Sequence, residues 1–333
     1  MSIQRTAILG AGGWGTALAV LWSKPGDDII LWGNDSGRVE SVRATRENHE
    51  YLPGVKVPGA VQVTSDIADC ANADLIVFVT PSIALRSVAN RLGASLSNSS
   101  AVLLSCTKGI EHRTGLRMSE ILEQIFPQNT IAVLSGPNLA VEVSRNLPTA
   151  TVLGCRVPEC AEELQRHLGR ERFRIYSSDE TVGIELGGAL KNVFAIAAGI
   201  SDGFGLGDNS KAALVTRSLA ELLRLGTAMG GNPRTFYGLS GAGDLIATCF
   251  SQLSRNRKVG EKIGRGETLE QIRAGTHTVA EGIPTTESAF ECARKLNVET
   301  PIIDQIYSIL YEGKRPDQAM QELLARDQKA ERS

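Results

Sequence analysis

The sequence has no C-x-x-C pair among its six cysteines (Cys70, Cys106, Cys155, Cys160, Cys249 and Cys292), which excludes the usual marks of a disulfide framework or a four-ligand zinc site. The thiols read as reduced, in a cytoplasmic protein. Four histidines (His49, His112, His167, His277) lack metal-ligand spacing and suggest no Ser/His/Asp arrangement, so they read as surface or loop residues and no metal is expected. Nor is there an excess of charge. Thirty-five Lys and Arg face 37 Asp and Glu, a net charge of −2, whereas broad nucleic-acid binding needs surplus cations on one face. A local anion site remains open. Internal repeats and low-complexity tracts are missing, although Arg326 to Ser333 is polar enough to fray. One stretch, Thr6 to Ser23 behind Arg5, imitates a secretory signal or short membrane span, but Gly10, Gly12, Gly13 and Gly15 interrupt it. No other stretch reads as long and apolar enough to span a bilayer.

What is present fits a globular protein: 333 residues, 42% hydrophobic and 22% charged, a length that suggests about two domains. The first half alternates β-rich runs (Ile3–Leu9, Asp28–Trp32, Asp74–Val79, Ala101–Ser105, Thr130–Leu134, Ala150–Cys155, Phe173–Tyr176) with segments of helical periodicity, the pattern of a parallel sheet with crossover helices. Runs apolar on both faces, such as Leu75 to Val79, suit a sheet covered on both sides. After Ser178 the β-runs stop and Ala/Leu/Glu-rich segments take over. The expectation is an α/β, Rossmann-type doubly wound sheet (residues 1–178) followed by an all-α domain (179–333), with the glycine-rich Gly199–Gly207 joining two helices.

Gly10-Ala11-Gly12-Gly13-Trp14-Gly15 is a G-x-G-x-x-G that follows an apolar run and opens a helix. Gly10 permits the tight turn, Gly12 lets the backbone approach a pyrophosphate, and Gly15 lets helix and strand pack closely. An adenosyl-methionine site, a flavin site or a glycine turn that binds nothing would use similar residues. Downstream, Asn34, Asp35 and Arg38 stand where an acidic side chain would meet an unphosphorylated ribose, leaving NADH and NADPH both open. Lys191 is the only charged residue between Leu186 and Ser201. Buried in an apolar helix with no carboxylate beside it, it would have a lowered pKa, as a lysine acid/base requires; a snorkelling lysine is the bland alternative. Thr107-Lys108-Gly109, Ser135-Gly136-Pro137-Asn138 and Gly238-Leu239-Ser240-Gly241-Ala242-Gly243-Asp244 are further loop clusters suited to a ligand, or to ordinary turns.

Together these stretches resemble the bacterial NAD(P)-dependent glycerol-3-phosphate dehydrogenase family. The resemblance also runs through Gly187 to Asn192, Ser254-Arg255-Asn256 and Val279-Ala280-Glu281-Gly282. It implies reversible reduction of dihydroxyacetone phosphate to sn-glycerol 3-phosphate with NADPH or NADH, supplying glycerophospholipid synthesis. Lys191 would be the catalytic proton donor and acceptor. Lys108, Gly136, Asn138, Asp244, Ser254, Arg255 and Asn256 would surround the substrate. Gly10, Gly12, Gly13, Trp14, Gly15, Asn34, Lys108, Ala140, Arg255, Val279 and Glu281 would contact the dinucleotide. Asn138 departs from the Ser or Thr often found after Gly-Pro in the family, but its amide both donates and accepts. The alternatives are a ketopantoate-type or 2-hydroxyacid reductase and a non-catalytic NAD(P) sensor. Neither nucleic acid nor a membrane is an expected partner, and a second copy of the chain is the candidate protein partner.

Overall fold

A computed structural model describes residues 3–24, 26–96, 98, 100–275 and 280–327. Eight strands, β1 (Arg5–Leu9), β2 (Asp28–Trp32), β3 (Gln62–Thr64), β4 (Leu75–Phe78), β5 (Val102–Ser105), β6 (Ile131–Ser135), β7 (Thr149–Cys155) and β8 (Phe173–Ser178), form one sheet in the order 3-2-1-4-5-6-7-8. The order reverses between β1 and β4, the switch point at which such sheets open a ligand crevice beyond the strand ends. Helices α1 (Gly13–Trp22), α2 (Ser36–Thr45), α3 (Ser82–Gly93), α4 (Met118–Ile125), α5 (Ala140–Ser144) and α6 (Pro158–Leu168) accompany the sheet. The apolar runs become strands because both faces are covered: every residue of β4 and β5 is buried.

The sheet is not wholly parallel. β7 pairs antiparallel with β6, Val133 opposite Gly154, while β8 returns parallel to β7. The physical reason lies in the connection: a parallel return needs a crossover of a dozen or more residues, usually a full helix, and the 13 residues from Gly136 to Pro148 hold only the five-residue α5. β3, three residues long, is too short to show in the sequence pattern.

The second half is helical: α7 (Val182–Gly203), α8 (Gly207–Ala228), α9 (Asp244–Phe250), α10 (Arg255–Gly264), α11 (Leu269–Ala274), α12 (Gly282–Lys295), α13 (Pro301–Tyr311) and α14 (Pro316–Leu324). α7 is its axis. Contrary to the sequence reading, this helix is long and apolar enough to cross a membrane, yet almost all of it is buried inside the protein, where an all-round apolar helix belongs. The Gly199–Gly207 expectation is also corrected, since α7 continues through Gly203. Gly199 and Gly203 are contact points: a Cβ on Gly199 would lie 2.0 Å from the Arg257 carbonyl oxygen, and one on Gly203 would lie 2.5 Å from that of Glu261. On the facing helix α10, a Cβ on Gly260 would lie 2.0 Å from Ile196 O. Two backbones therefore touch where ordinary helices keep side chains between them.

Gly199→Ala should accordingly destabilise the fold by about 3 kcal/mol, the upper end of overpacking costs, because backbone and not a flexible side chain must yield. The midpoint of denaturant unfolding measures this, and an unchanged midpoint would refute the close crossing.

Candidate active site

The glycine turn has the geometry its spacing suggests. Gly10 follows β1 with φ +131°, a region that disfavours side chains, and its Cβ would collide with Val79 O at 2.7 Å. A Cβ on Gly15 would lie 1.9 Å from Gly10 O, whereas one on Gly12 meets nothing within 4 Å. Two glycines thus serve packing and Gly12 keeps one side of the loop open, as a pyrophosphate requires. Gly13 is pressed against the Tyr51 carbonyl, and Trp14 and Ala140 pack in a small cluster with Leu52 and Val55. The dinucleotide has a fitting cradle here.

Lys191 projects from α7 and is 7% exposed. Its Nζ donates to Asp244 Oδ1 at 2.8 Å and to Thr248 Oγ1 at 2.6 Å. The carboxylate that the sequence reading found missing is therefore supplied from α9, 53 residues away. The lowered pKa stands regardless: burial pushes the ammonium down, Asp244 opposes, the nearby Lys108 ammonium adds to the lowering, and the result is about 8. Asp244 shows the reverse balance. Burial pushes its carboxyl up, but Lys108 and Lys191 outweigh it and hold the group below the usual range.

Lys108, in the loop after β5, donates to Asp244 Oδ2 at 2.6 Å and to Gly136 O at 2.9 Å. One carboxylate is thus shared by two ammoniums from opposite halves of the chain. Gly188, one helical turn before Lys191, makes room for this: its Cβ would lie 2.3 Å from Ser135 Oγ and 3.6 Å from Lys108 Cδ. Around the same loop, Ser135 Oγ and Asn138 Nδ2 are buried without a hydrogen-bond partner, while Asn138 Oδ1 accepts from Thr151. Unpartnered buried polar atoms beside two ammoniums are what a site awaiting a polar ligand presents.

The remaining expected residues are in part committed to structure. Ser254 caps α10, its Oγ accepting from the Arg257 amide. Asn256 is buried, donating to Asn192 Oδ1 at 2.8 Å and accepting from Gly282 N at 2.9 Å. Arg255, at the start of α10, keeps solvent-accessible surface within a crowded cleft; the crowding lowers its pKa, against the opposing pull of Glu281 and Tyr51. Glu281 Oε2 accepts from Ser82 Oγ at 2.6 Å and its other oxygen from Ser82 N, closing the helical half onto the end of β4. Asn34 lies exposed, two residues beyond the end of β2. Val279, and with it His277, falls outside the described residues. His167 departs from the surface reading, lying half-buried on α6. Sequence reading missed Thr248 and Ser82. Thr248 stands four residues after Asp244 on one helical face, and Ser82 follows a strand end, so each had a detectable signal.

Residues 5–161 match the profile of the NAD-dependent glycerol-3-phosphate dehydrogenase N-terminus, and residues 180–321 match that of its C-terminus. The chain belongs to this family. A glycerol-3-phosphate dehydrogenase [NAD(P)+] of Geobacter sulfurreducens is 45% identical over 333 residues, covering 99% of both chains. The protein of the same name from Syntrophotalea carbinolica is 46% identical over 97% of this chain and 98% of its own. The crystal structure of glycerol-3-phosphate dehydrogenase from Coxiella burnetii superposes with a TM-score of 0.94 at 38% identity, covering 97% of this chain and 99% of that one. A ketopantoate reductase from Ralstonia eutropha, at TM-score 0.60 and 17% identity over 95% of this chain and 99% of its own, shares the fold alone.

Gly12→Ala should leave stability within about 1 kcal/mol, the scale of an N-cap change, while weakening dinucleotide binding at least about tenfold because the methyl occupies the space the pyrophosphate needs. Fluorescence titration with NADPH or NADH tests this; unchanged affinity would remove the loop from the binding site.

Proposed function

We propose that this protein catalyses the reversible NAD(P)H-dependent reduction of dihydroxyacetone phosphate to sn-glycerol 3-phosphate, supplying glycerophospholipid synthesis. The observation that carries the reading is the Lys108–Asp244–Lys191 array, two ammoniums on one carboxylate, in a chain of this family. The bound nicotinamide supplies the hydride, and the protein supplies orientation and the proton.

An ammonium has three donors. Lys191 spends two on Asp244 and Thr248, which fix Nζ and leave one N–H for the substrate C2 oxygen. As that oxygen gains negative charge, the ammonium stabilises it and gives up the proton; in the oxidation direction neutral Nζ takes it back. Lys108 likewise keeps one N–H after Asp244 and Gly136. Arg255, with its forked donors, and the second N–H of Asn256 are suited to the substrate phosphate, whose binding fixes C2 in place. Two ammoniums against one carboxylate leave a net positive centre, matched to an anionic substrate.

The same reading divides the chain into a dinucleotide domain, residues 1–178, and a helical substrate domain, residues 179–333, supported by the end of β8 at Ser178 and the start of α7 at Val182. It includes a cytoplasmic location, which the six buried free thiols support, and the homodimer as candidate assembly.

Turnover is read from the absorbance of the reduced nicotinamide, with dihydroxyacetone phosphate set against unphosphorylated keto acids. Activity only with the keto acids would favour the carboxylate reductase; none with any substrate would favour the sensor. Lys191→Ala should lower kcat at least about a hundredfold with NADPH affinity nearly intact, and near-normal turnover would end its assignment. Because Lys191 titrates at about 8, kcat/KM for carbonyl reduction should fall as pH rises through about 8, and that for alcohol oxidation should rise over the same interval. Profiles flat between pH 7 and 9 would contradict the role.

A further inference from the structure

The ribose end of the cleft carries an arginine that no motif singles out. β2 ends at Trp32, and the side chains just beyond it meet the adenosine ribose in this fold. Asn34 stands there, exposed, and bears no charge to repel a phosphate. Its charged neighbours are already engaged. Asp35 caps α2, its Oδ1 accepting from Arg38 N at 2.8 Å. Arg38 makes a two-pronged contact with Glu50, at 2.7 and 3.1 Å, and lies over the Tyr51 ring.

Arg91 arrives from the last turn of α3. An arginine in that position ordinarily serves the terminal carbonyls of its own helix. This one reaches across the sheet end instead: Nη1 donates to Asn34 Oδ1 at 2.6 Å, and the guanidinium lies over the Trp32 ring, 5.3 Å from its centroid. Among the described residues no carboxylate lies within ion-pair distance of it. The Asn34 bond uses one of five N–H groups. A full positive charge, oriented by an amide and an indole and, among the described residues, lacking a counter-ion, thus stands where a ribose 2′-substituent comes.

We propose that Arg91, positioned by Asn34 and Trp32, recognises the 2′-phosphate of the dinucleotide and makes NADPH the preferred coenzyme over NADH. The forked guanidinium suits a phosphate, and Asn34 Nδ2 adds a donor beside it. The Asp35 carboxylate would oppose a phosphate, but one oxygen is taken by the α2 amide and the other lies 4.0 Å from Arg38 Nη2. The inference rests on the dehydrogenase reading for the coenzyme, though its binding test needs no substrate.

Calorimetric titration with 2′,5′-ADP and with 5′-AMP separates the two. The wild-type protein should bind 2′,5′-ADP at least about tenfold more tightly, the scale of a charge-assisted contact. Arg91→Gln should bring the affinity ratio close to one, with a matching fall in the NADPH-to-NADH ratio of kcat/KM. Arg91→Lys, which keeps the charge and loses the fork, should fall between and serves if the glutamine variant does not fold. Equal wild-type affinities, binding of neither fragment, or a ratio that ignores residue 91 would overturn the proposal. Discrimination between fragments without turnover of dihydroxyacetone phosphate would instead refute the proposed reaction and leave Arg91 standing.

Discussion

A single, fully buried carboxylate, Asp244, holds two ammoniums, and much of the architecture serves to bring those three groups together. Each comes from a different place: Lys108 from the loop after β5, Lys191 from the middle of α7, Asp244 from the first turn of α9. Burying a charge costs several kcal/mol even after relaxation, so the arrangement persists only if each group is closely paired. Asp244 pairs with both lysines, Thr248 and the Gly136 carbonyl take further ammonium hydrogens, and the unbalanced positive charge faces the cleft. The burial that makes Lys191 expensive is also what lowers its pKa to about 8, which the proposed proton transfer would use.

α7 makes that burial possible by being small where it must be approached. Gly188 admits Ser135 at the end of β6 and Lys108 from the loop after β5, Gly187 faces the backbone of Ser240, and Gly199 and Gly203 face α10. From the other side, the Cβ of a residue at Gly282 would lie 2.5 Å from Asn192 O. Glycine in a helix interior costs about 1 kcal/mol in propensity, and α7 has three there, Gly187, Gly188 and Gly199. Close backbone contact on several sides is the compensating gain. The seam to the sheet is built differently, from carboxylates that reach loops of the first half: Glu185 accepts from Ser119 N and pairs with Arg117, and Glu281 clasps Ser82. Burial raises both carboxyl pKa values against those partners, so the seam is directional and polar where the helical core is tight and apolar.

How much of this was visible in the sequence follows from the range of each interaction. The glycine fingerprint is a local device whose turn, approach and packing roles fall within six residues, so its spacing alone carries the geometry. Lys191 was visible because one charge in an apolar helix is a local anomaly. Its partner was not, because Asp244 reaches it only through the packing of α9 on α7. Gly199 and Gly203 were misread for the same reason: a glycine that permits a helix crossing and one that ends a helix look alike until the facing backbone is known. The antiparallel β7 turned on the length of α5, five residues where periodicity gives no sign. Arg91 lies on an ordinary amphipathic helix, and nothing in its neighbourhood along the chain points to Asn34, 57 residues away.

The charge arithmetic gains a spatial meaning from these contacts. A chain with net charge −2 has no long-range field to draw in an anion, so affinity for phosphorylated ligands must come from a few cations left without full compensation. Some surface cations are neutralised by near neighbours, as Arg38 is by Glu50 and Arg86 by Glu111. In the site Lys108 and Lys191 divide one carboxylate between them, and Arg91 meets an amide and an indole but, among the described residues, no carboxylate. On the proposed reading, incompletely compensated cations stand at two places, one where the C2 oxygen of the reacting substrate would lie and one where the coenzyme would carry its 2′-phosphate. On this reading, ligand recognition would depend less on how many positive residues the protein has than on where the fold sets those without full compensation.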